Sequence, residues 1–332
     1  MGYALFDSAN TFGDLRDPVR MGTWPLDGRE LFCIGDLSAG NYALLVYLDE
    51  NDNCRLDRNF IGIPREPLAF SNGYRPKGPP SYRRAAFELT DEEARRFDVT
   101  LRRPLGERGR IGVGIGAIIR SSPYRDYEGS VFQLIPAITY IGNRLQILGP
   151  NLQLGLVGQG KLRLAATAQY RIGAYEERES DVLTGMGDRE NTLLVGLALL
   201  GALPGGVDVS LRYAHDVLDR IGGGAARMAV EKSFQLGRMR GGPELGLNWQ
   251  SRGLALHDYG VPSAMATPQR PAHTLNDTLS VTVGLRLFAD IAPDWVVVLN
   301  TSLEFLDESI TTSPIVNANY VIQSFVAVNY VF

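Results

Sequence analysis

Asp49, Asn51, Asn53 and Asp57 fall at positions 1, 3, 5 and 9 of a short polar stretch, with the Arg55 carbonyl at position 7. Hard cations such as Ca²⁺ are wrapped by oxygen ligands at this spacing. Two departures count against such a site. Position 6, where glycine makes the sharp turn, is Cys54, and position 12 is Phe60 in place of a bidentate glutamate. The plainer reading is a hairpin loop whose Asp and Asn side chains bond their own backbone. No other cofactor is expected. Cys33 and Cys54 are too far apart for a paired metal motif, and no histidine lies near them. In an oxidising compartment they could form one disulfide; otherwise Cys33 is a small core residue in a strand.

The remaining chemistry would have to come from three histidines, His215, His257 and His273. Ser210 shares a strand with His215 but points to the other face, and no Ser–His pair sits at close spacing, so nucleophilic catalysis is not expected. The 33 basic and 37 acidic residues give a formal charge of -4. This argues against a nucleic-acid partner, which would call for a basic stripe. A further set of charges recurs on one side of strand-like segments: Arg163, Arg171, Asp208, Arg212, Glu231, Glu244, Arg286 and Glu304. Facing the lumen of a barrel, such residues would pair with one another as filling, or line a polar pore.

Period two is what places those charges together. In Thr278–Phe288, Leu279, Val281, Val283, Leu285 and Leu287 share one face, and Ser280, Thr282, Gly284 and Arg286 share the other. Val207–Tyr213, Leu162–Ile172 and Pro243–Gln250 repeat the pattern. Strands of this length and alternation fit a membrane barrel better than a soluble sandwich with its apolar face inward. The mean hydropathy of -0.07 is compatible with either. Tyr140, Tyr170, Tyr213, Trp249, Trp295, Phe305, Tyr320 and Tyr330 gather near strand ends, where interfacial girdles form. No run reaches the length of a membrane helix.

Twelve strands are expected, near 110–120, 130–141, 145–157, 161–174, 191–201, 207–217, 225–236, 243–251, 253–260, 278–290, 294–306 and 319–332. Ten is the alternative, because 145–157 and 253–260 are weak. Loops 121–129, 261–277 and 307–318 would lie outside, and loop 175–190 does not fit the alternation. The final strand ends on Tyr330 and Phe332 with apolar residues at every second place, and it resembles the signal read by the outer-membrane assembly machinery. A Pro/Gly-containing segment at 103–109 reads as a linker. Before it, short runs at Tyr3–Phe6, Glu30–Ile34, Tyr42–Leu48, Ala85–Leu89 and Phe97–Leu101, with a helical turn at Asp91–Arg96, suggest a small antiparallel β-sandwich over 1–102.

The barrel part resembles the MipA/OmpV family of outer-membrane proteins. The resemblance is carried by Gly112-Val-Gly-Ile-Gly-Ala, Ser122-Pro-Tyr-Arg-Asp-Tyr-Glu-Gly129 leading into Pro136, and Leu183-Thr-Gly-Met-Gly-Asp188. Asp258-Tyr-Gly-Val-Pro262 and Ser313-Pro-Ile-Val316 complete it. It implies an all-β chain with an antiparallel transmembrane barrel over 110–332, embedded in outer-membrane lipid of a Gram-negative cell, with the first domain periplasmic. It also implies a scaffold role between a murein transglycosylase and a murein synthase; a small-solute channel and a surface antigen or adhesin are the alternatives. The first hundred residues resemble an uncharacterised exported bacterial domain with a transthyretin-like or immunoglobulin-like sandwich. The carrying residues are Gly40-Asn-Tyr-Ala-Leu-Leu-Val-Tyr-Leu-Asp-Glu-Asn-Asp-Asn, Leu56-Asp-Arg-Asn-Phe-Ile-Gly-Ile-Pro-Arg-Glu-Pro67, Phe70-Ser-Asn72 and Gly78-Pro-Pro-Ser81. Such domains usually carry one strand ahead of Tyr3, so a first strand and a signal peptide are expected to be missing here.

Overall fold

The structure is a computed structural model that describes every residue except 29–30, 91–93, 128–129, 159–160, 237–238 and 293, and the side chains of Asp14 and Leu236. The first part is built on strands β1 (Gly2–Phe6), β2 (Arg20–Thr23), β3 (Gly40–Tyr47), β4 (Leu68–Phe70) and β5 (Phe87–Leu89). They form one antiparallel sheet in the order β2-β1-β3-β4, and β5 pairs with the start of β3. Both faces are covered. Phe6, Ala43, Leu45, Tyr47 and Phe70 pack under helix α1 (Ala9–Asp14) and helix α2 (Tyr82–Ala85), with Phe12 wholly buried among them. On the other face Tyr3, Leu5, Leu44 and Val46 meet Trp24, Phe87, Phe97 and Leu101.

Several expectations change here. Among the described residues the second layer is irregular chain, so the domain is one covered sheet and not two stacked sheets. Leu31–Ile34 and Phe97–Leu101 are not strands, while Arg20–Thr23 and Leu68–Phe70 are. Glu30 and the start of the Asp91–Arg96 turn lie outside the described residues. Segment 103–109 forms a turn with Leu105 buried.

The barrel wall begins with β6 (Arg110–Ser121), β7 (Ser130–Ile141), β8 (Leu145–Leu148), β9 (Asn151–Val157), β10 (Leu162–Arg171) and β11 (Thr192–Leu203). It continues through β12 (Val207–Asp216), β13 (Gly224–Lys232), the short β14 (Phe234–Leu236) and β15 (Met239–Gln250). It ends with β16 (Thr278–Ala292), β17 (Trp295–Phe305) and β18 (Tyr320–Val331). β18 pairs antiparallel with β6, from Gln323↔Arg120 to Val331↔Gly112, which closes the wall at twelve strands with β14 as an extra piece.

The count matches expectation for reasons that were partly misread. Segment 145–157 is a hairpin of two strands turning at Gly149-Pro150, with Gly149 at φ 55. Segment 253–260 is helix α3 (Arg252–Tyr259). The extra reversal at Gly149-Pro150 is what puts loop 172–191 at the same end as the other long loops, and the irregular alternation disappears.

The wall is inside-out. In β16, Ser280 and Thr282 are 5% and 2% exposed, whereas Leu279 and Val283 are 53% and 47% exposed. Ile115, Phe132, Leu134, Leu162, Leu211 and Leu245 continue the outward apolar band. A continuous apolar exterior of this extent suits lipid, not water. Aromatics mark both rims. Tyr213 and Trp249 lie 6.5 Å apart near the loop end. At the other end Trp295, Tyr330 and Phe332 form consecutive edge-to-face pairs at 5.4 and 5.0 Å. Among the described residues no helix is long and apolar enough to cross a membrane.

Candidate functional site

The barrel interior divides into three zones, and each takes some of the charges expected there. In the middle, strands β13, β15, β16 and β17 bring their inward side chains into one ladder. Glu244 accepts from Arg227 on one carboxylate oxygen and from Arg286 Nη2 (2.8 Å) on the other. Arg286 Nη1 also reaches Glu231 at 2.7 Å. Arg227 Nη1 donates to Asn248 Oδ1 (2.6 Å), whose Nδ2 donates to Thr282 Oγ1 (2.6 Å) and to Glu304 Oε1 (2.9 Å). Glu231, Glu244, Asn248, Arg286 and Glu304 are legible from alternation; Arg227 is the one missed, although the Ala225-x-Arg227-x-Ala229-x-Glu231 alternation carries the signal. Arg212 stands opposite Arg227 across the β12–β13 pair.

At the loop end the long connections fold over the mouth. Tyr124, Tyr175, Leu183, Met186, Ala255, Val261, Leu275, Ile310 and Ile315 are buried in one cluster contributed by four loops. Its polar centre is Asp258 in α3, 1% exposed. Arg171 of β10 grips it at 2.5 and 3.3 Å, and His257 Nδ1 lies 3.0 Å from the same carboxylate. Burial by itself would raise the Asp258 pKa, but Arg171 and then His257 hold it below the usual carboxylate range. A sequence reading that made 253–260 a strand had no means of finding this pair. Arg171 is therefore tied to the lid and not to the lumen ladder.

At the opposite end the first domain sits on the rim. Phe60, 5% exposed, enters the wall's inner surface between Ala165 and Ala198. A Cβ on Gly155 would lie 2.2 Å from the Phe60 ring, so only glycine leaves room for it. Arg163 Nη1 donates to the Phe60 carbonyl at 2.7 Å, and its guanidinium lies 5.8 Å from the ring centre. The Phe60 amide donates to Asn143 O at 3.2 Å. Around this pin, Arg16 pairs with Asp208 at 3.6 Å, Lys77 with Asp294 at 3.0 Å, and Arg110 donates to Pro76 O at 3.1 Å. Arg163 and Asp208 are thus spent on the domain.

The Asp49–Asp57 loop closes on itself. Asp49 accepts the amides of Asn53 (3.1 Å) and Cys54 (2.7 Å), and Asp57 accepts from Asn51 (2.7 Å) and Asn53 (3.1 Å). The oxygens of a cation cage are committed to the turn itself, and among the described residues no acidic, histidine or cysteine group is arranged to hold a metal. Cys54 sits in the left-handed region at φ 57, at the place where glycine was missed. The expected disulfide is not formed: Cys33 and Cys54 are both free and exposed, and Cys33 lies in irregular chain and not in a core strand. His215 faces Tyr213 OH at 3.5 Å and His273 faces the Ser309 carbonyl at 3.3 Å, so neither meets a serine hydroxyl.

Comparison with known proteins bears on the whole wall. The family model described as "MltA-interacting protein MipA" matches residues 113–332. The chain belongs to the MipA family. Residues 1–96 match a second model, described as an uncharacterized protein conserved in bacteria. Putative outer membrane protein YiaT of Escherichia coli (strain K12) is 26% identical over 212 residues, which is 63% of this chain and 85% of that one. The MltA-interacting protein of the same strain is 24% identical, over 64% of this chain and 86% of its own length. Outer membrane protein OmpV of Vibrio cholerae is 28% identical over 145 residues, 44% of this chain and 56% of that protein. A porin structure refined at 1.8 Å overlays on 67% of this chain at 9% identity, with a TM-score of 0.29. This MipA-family chain is an outer-membrane β-barrel protein.

Proposed function

We propose that this MipA-family protein is a non-conducting envelope scaffold, with its first domain in the periplasm and its lid at the cell surface. One observation carries the reading: both ends of the barrel are covered. The packed loop cluster around Asp258 covers one mouth, the domain pinned by Phe60 sits at the other, and between them the Glu231–Arg286–Glu244–Arg227 ladder fills the lumen side of the neighbouring strands β13, β15 and β16. Moving solute would require breaking a buried ion pair and displacing a domain. Side chains that pair so completely serve as rigid filling, and a twelve-stranded wall accommodates such filling. Both chain ends of the barrel and the short turns share the domain's end, as the periplasmic side of such barrels does.

By likeness to the relative named MltA-interacting protein, the partner class is a murein-cleaving enzyme, together with a murein synthase, engaged through the exposed side of the domain. No catalytic role is assigned to the chain. The discriminating experiment is planar-bilayer recording of the full detergent-folded protein beside copurification from crosslinked envelopes. Silence in the bilayer with recovery of a murein hydrolase supports the scaffold. Stepwise currents at resting voltage would overturn it in favour of a channel.

A further inference from the structure

Between the first domain and the domain-end rim of the barrel lies a partly open vestibule of about 1760 Å³. Its lining carries twelve of the chain's 33 basic residues and only six of its 37 acidic ones. A chain of net charge -4 has therefore gathered a positive excess around one cavity. Such a concentration of charge around a cavity focuses the field on what enters.

The excess is not neutralised locally. Arg75, Arg102 and Lys161 are exposed, and their side chains have no ion-pair or hydrogen-bond partner among the described residues. Arg110 and Arg163 donate to the neutral carbonyls of Pro76 and Phe60 and keep their full charge. The Nε of Arg163 is buried without a partner. Arg58, also in the lining, is pushed down to about 10 by burial and by repulsion from Arg16, which remains well above neutral pH. Guanidinium and ammonium groups held around a partly dehydrated space bind carboxylate and phosphate oxygens with strong, charge-assisted hydrogen bonds.

From these charges and this cavity we infer that the vestibule is a binding site for a soluble, multiply charged oxyanion, one molecule bearing several carboxylate or phosphate groups. The volume exceeds that of a typical small-ligand pocket, so a polyanion the size of citrate or tripolyphosphate enters with room to spare. The scaffold reading does not depend on this site, and the site does not depend on it.

The test is isothermal titration of the full detergent-folded chain with two probes, sodium tripolyphosphate and citrate. Both are run at about 50 mM and about 300 mM salt, where screening lengths differ more than twofold. One-to-one binding that weakens with salt is expected from at least one probe. The variant R75Q/R102Q/K161Q should bind about tenfold more weakly. Those side chains are exposed, and retained heat-modifiable gel mobility verifies that the variant folds. A control variant, R83Q/R125Q/R252Q, removes the same charge outside the vestibule and should bind like the parent. Tripolyphosphate alone would assign phosphate, citrate alone carboxylate. No heat from either probe at low salt, an unaffected vestibule variant, or an equal loss in the control would each overturn the proposal.

Discussion

Replacing Asp258 by asparagine keeps the shape of the side chain and strands the charge of Arg171 inside the loop lid. Removing one partner of a buried ion pair costs about 3–5 kcal/mol. Here Asp258 is sealed, but the Arg171 side chain retains 21% exposure, so the lower end applies, about 3 kcal/mol. That corresponds to a rise of about 150-fold in the open population of the lid. The assay is hydrogen exchange of the folded protein, read on peptides from loops 172–191 and 251–277 against peptides from strands β16 and β17. Exchange in the loops should accelerate by about two orders of magnitude, while the strands stay protected. The double replacement R171M/D258L should recover most of the loss, because it leaves no orphan charge. The pH dependence has a fixed sign. Asp258 is held below its unfolded value of about 4, so the pair's contribution is complete above that pH and drains away as pH falls through the lower folded value. The D258N lid should be flat across that window. Loop exchange unchanged by D258N would refute the claim that this pair holds the lid.

Three further outcomes test the rest of the structure. Phe60→Ala and Gly155→Val attack the same pin from opposite sides; each should release the first domain, seen as faster protease cleavage near 103–109, at a cost of about 3 kcal/mol for the lost ring. Cys54→Gly relieves a left-handed residue and should stabilise the domain by about 1 kcal/mol in denaturant titration. Glu244→Gln removes the carboxylate that lies between Arg227 and Arg286, and should lower the temperature at which unboiled protein loses its fast gel mobility, with R286M/E244Q partly restoring it.

The barrel wall was legible because period-two alternation is a local property. Every inward Thr, Ser or Arg in β16 announces its face by its neighbours alone, and so do the outward leucines and valines. The closing strand ending at Phe332 was readable for the same reason. Local signals failed where two structures share them. The stretch 253–260 has apolar residues that suit strand or helix, and the helix won because it caps a loop cluster instead of pairing with a neighbour. Segment 145–157 concealed a reversal at Gly149-Pro150, two residues whose turn chemistry outweighed the run of hydrophobics around them. In the first domain short strands carry little pattern, so alternation alone marks neither Leu68–Phe70, which is a strand, nor the irregular chain at Leu31–Ile34.

By itself, the sequence determined which side chains of the long strands share a face, since successive residues of an extended backbone point to opposite sides, and the length of the alternating runs favoured a barrel wall over a sandwich. It did not determine what those interior charges are for. Arg163, Arg171, Glu244 and Asp208 read alike in one dimension, yet one holds a domain loop, one a lid, one the central ladder, and one the Arg16 contact. Partners separated by tens to hundreds of residues are chosen by closure of the wall and by which loop or domain folds over each rim, and only the tertiary structure contains that information.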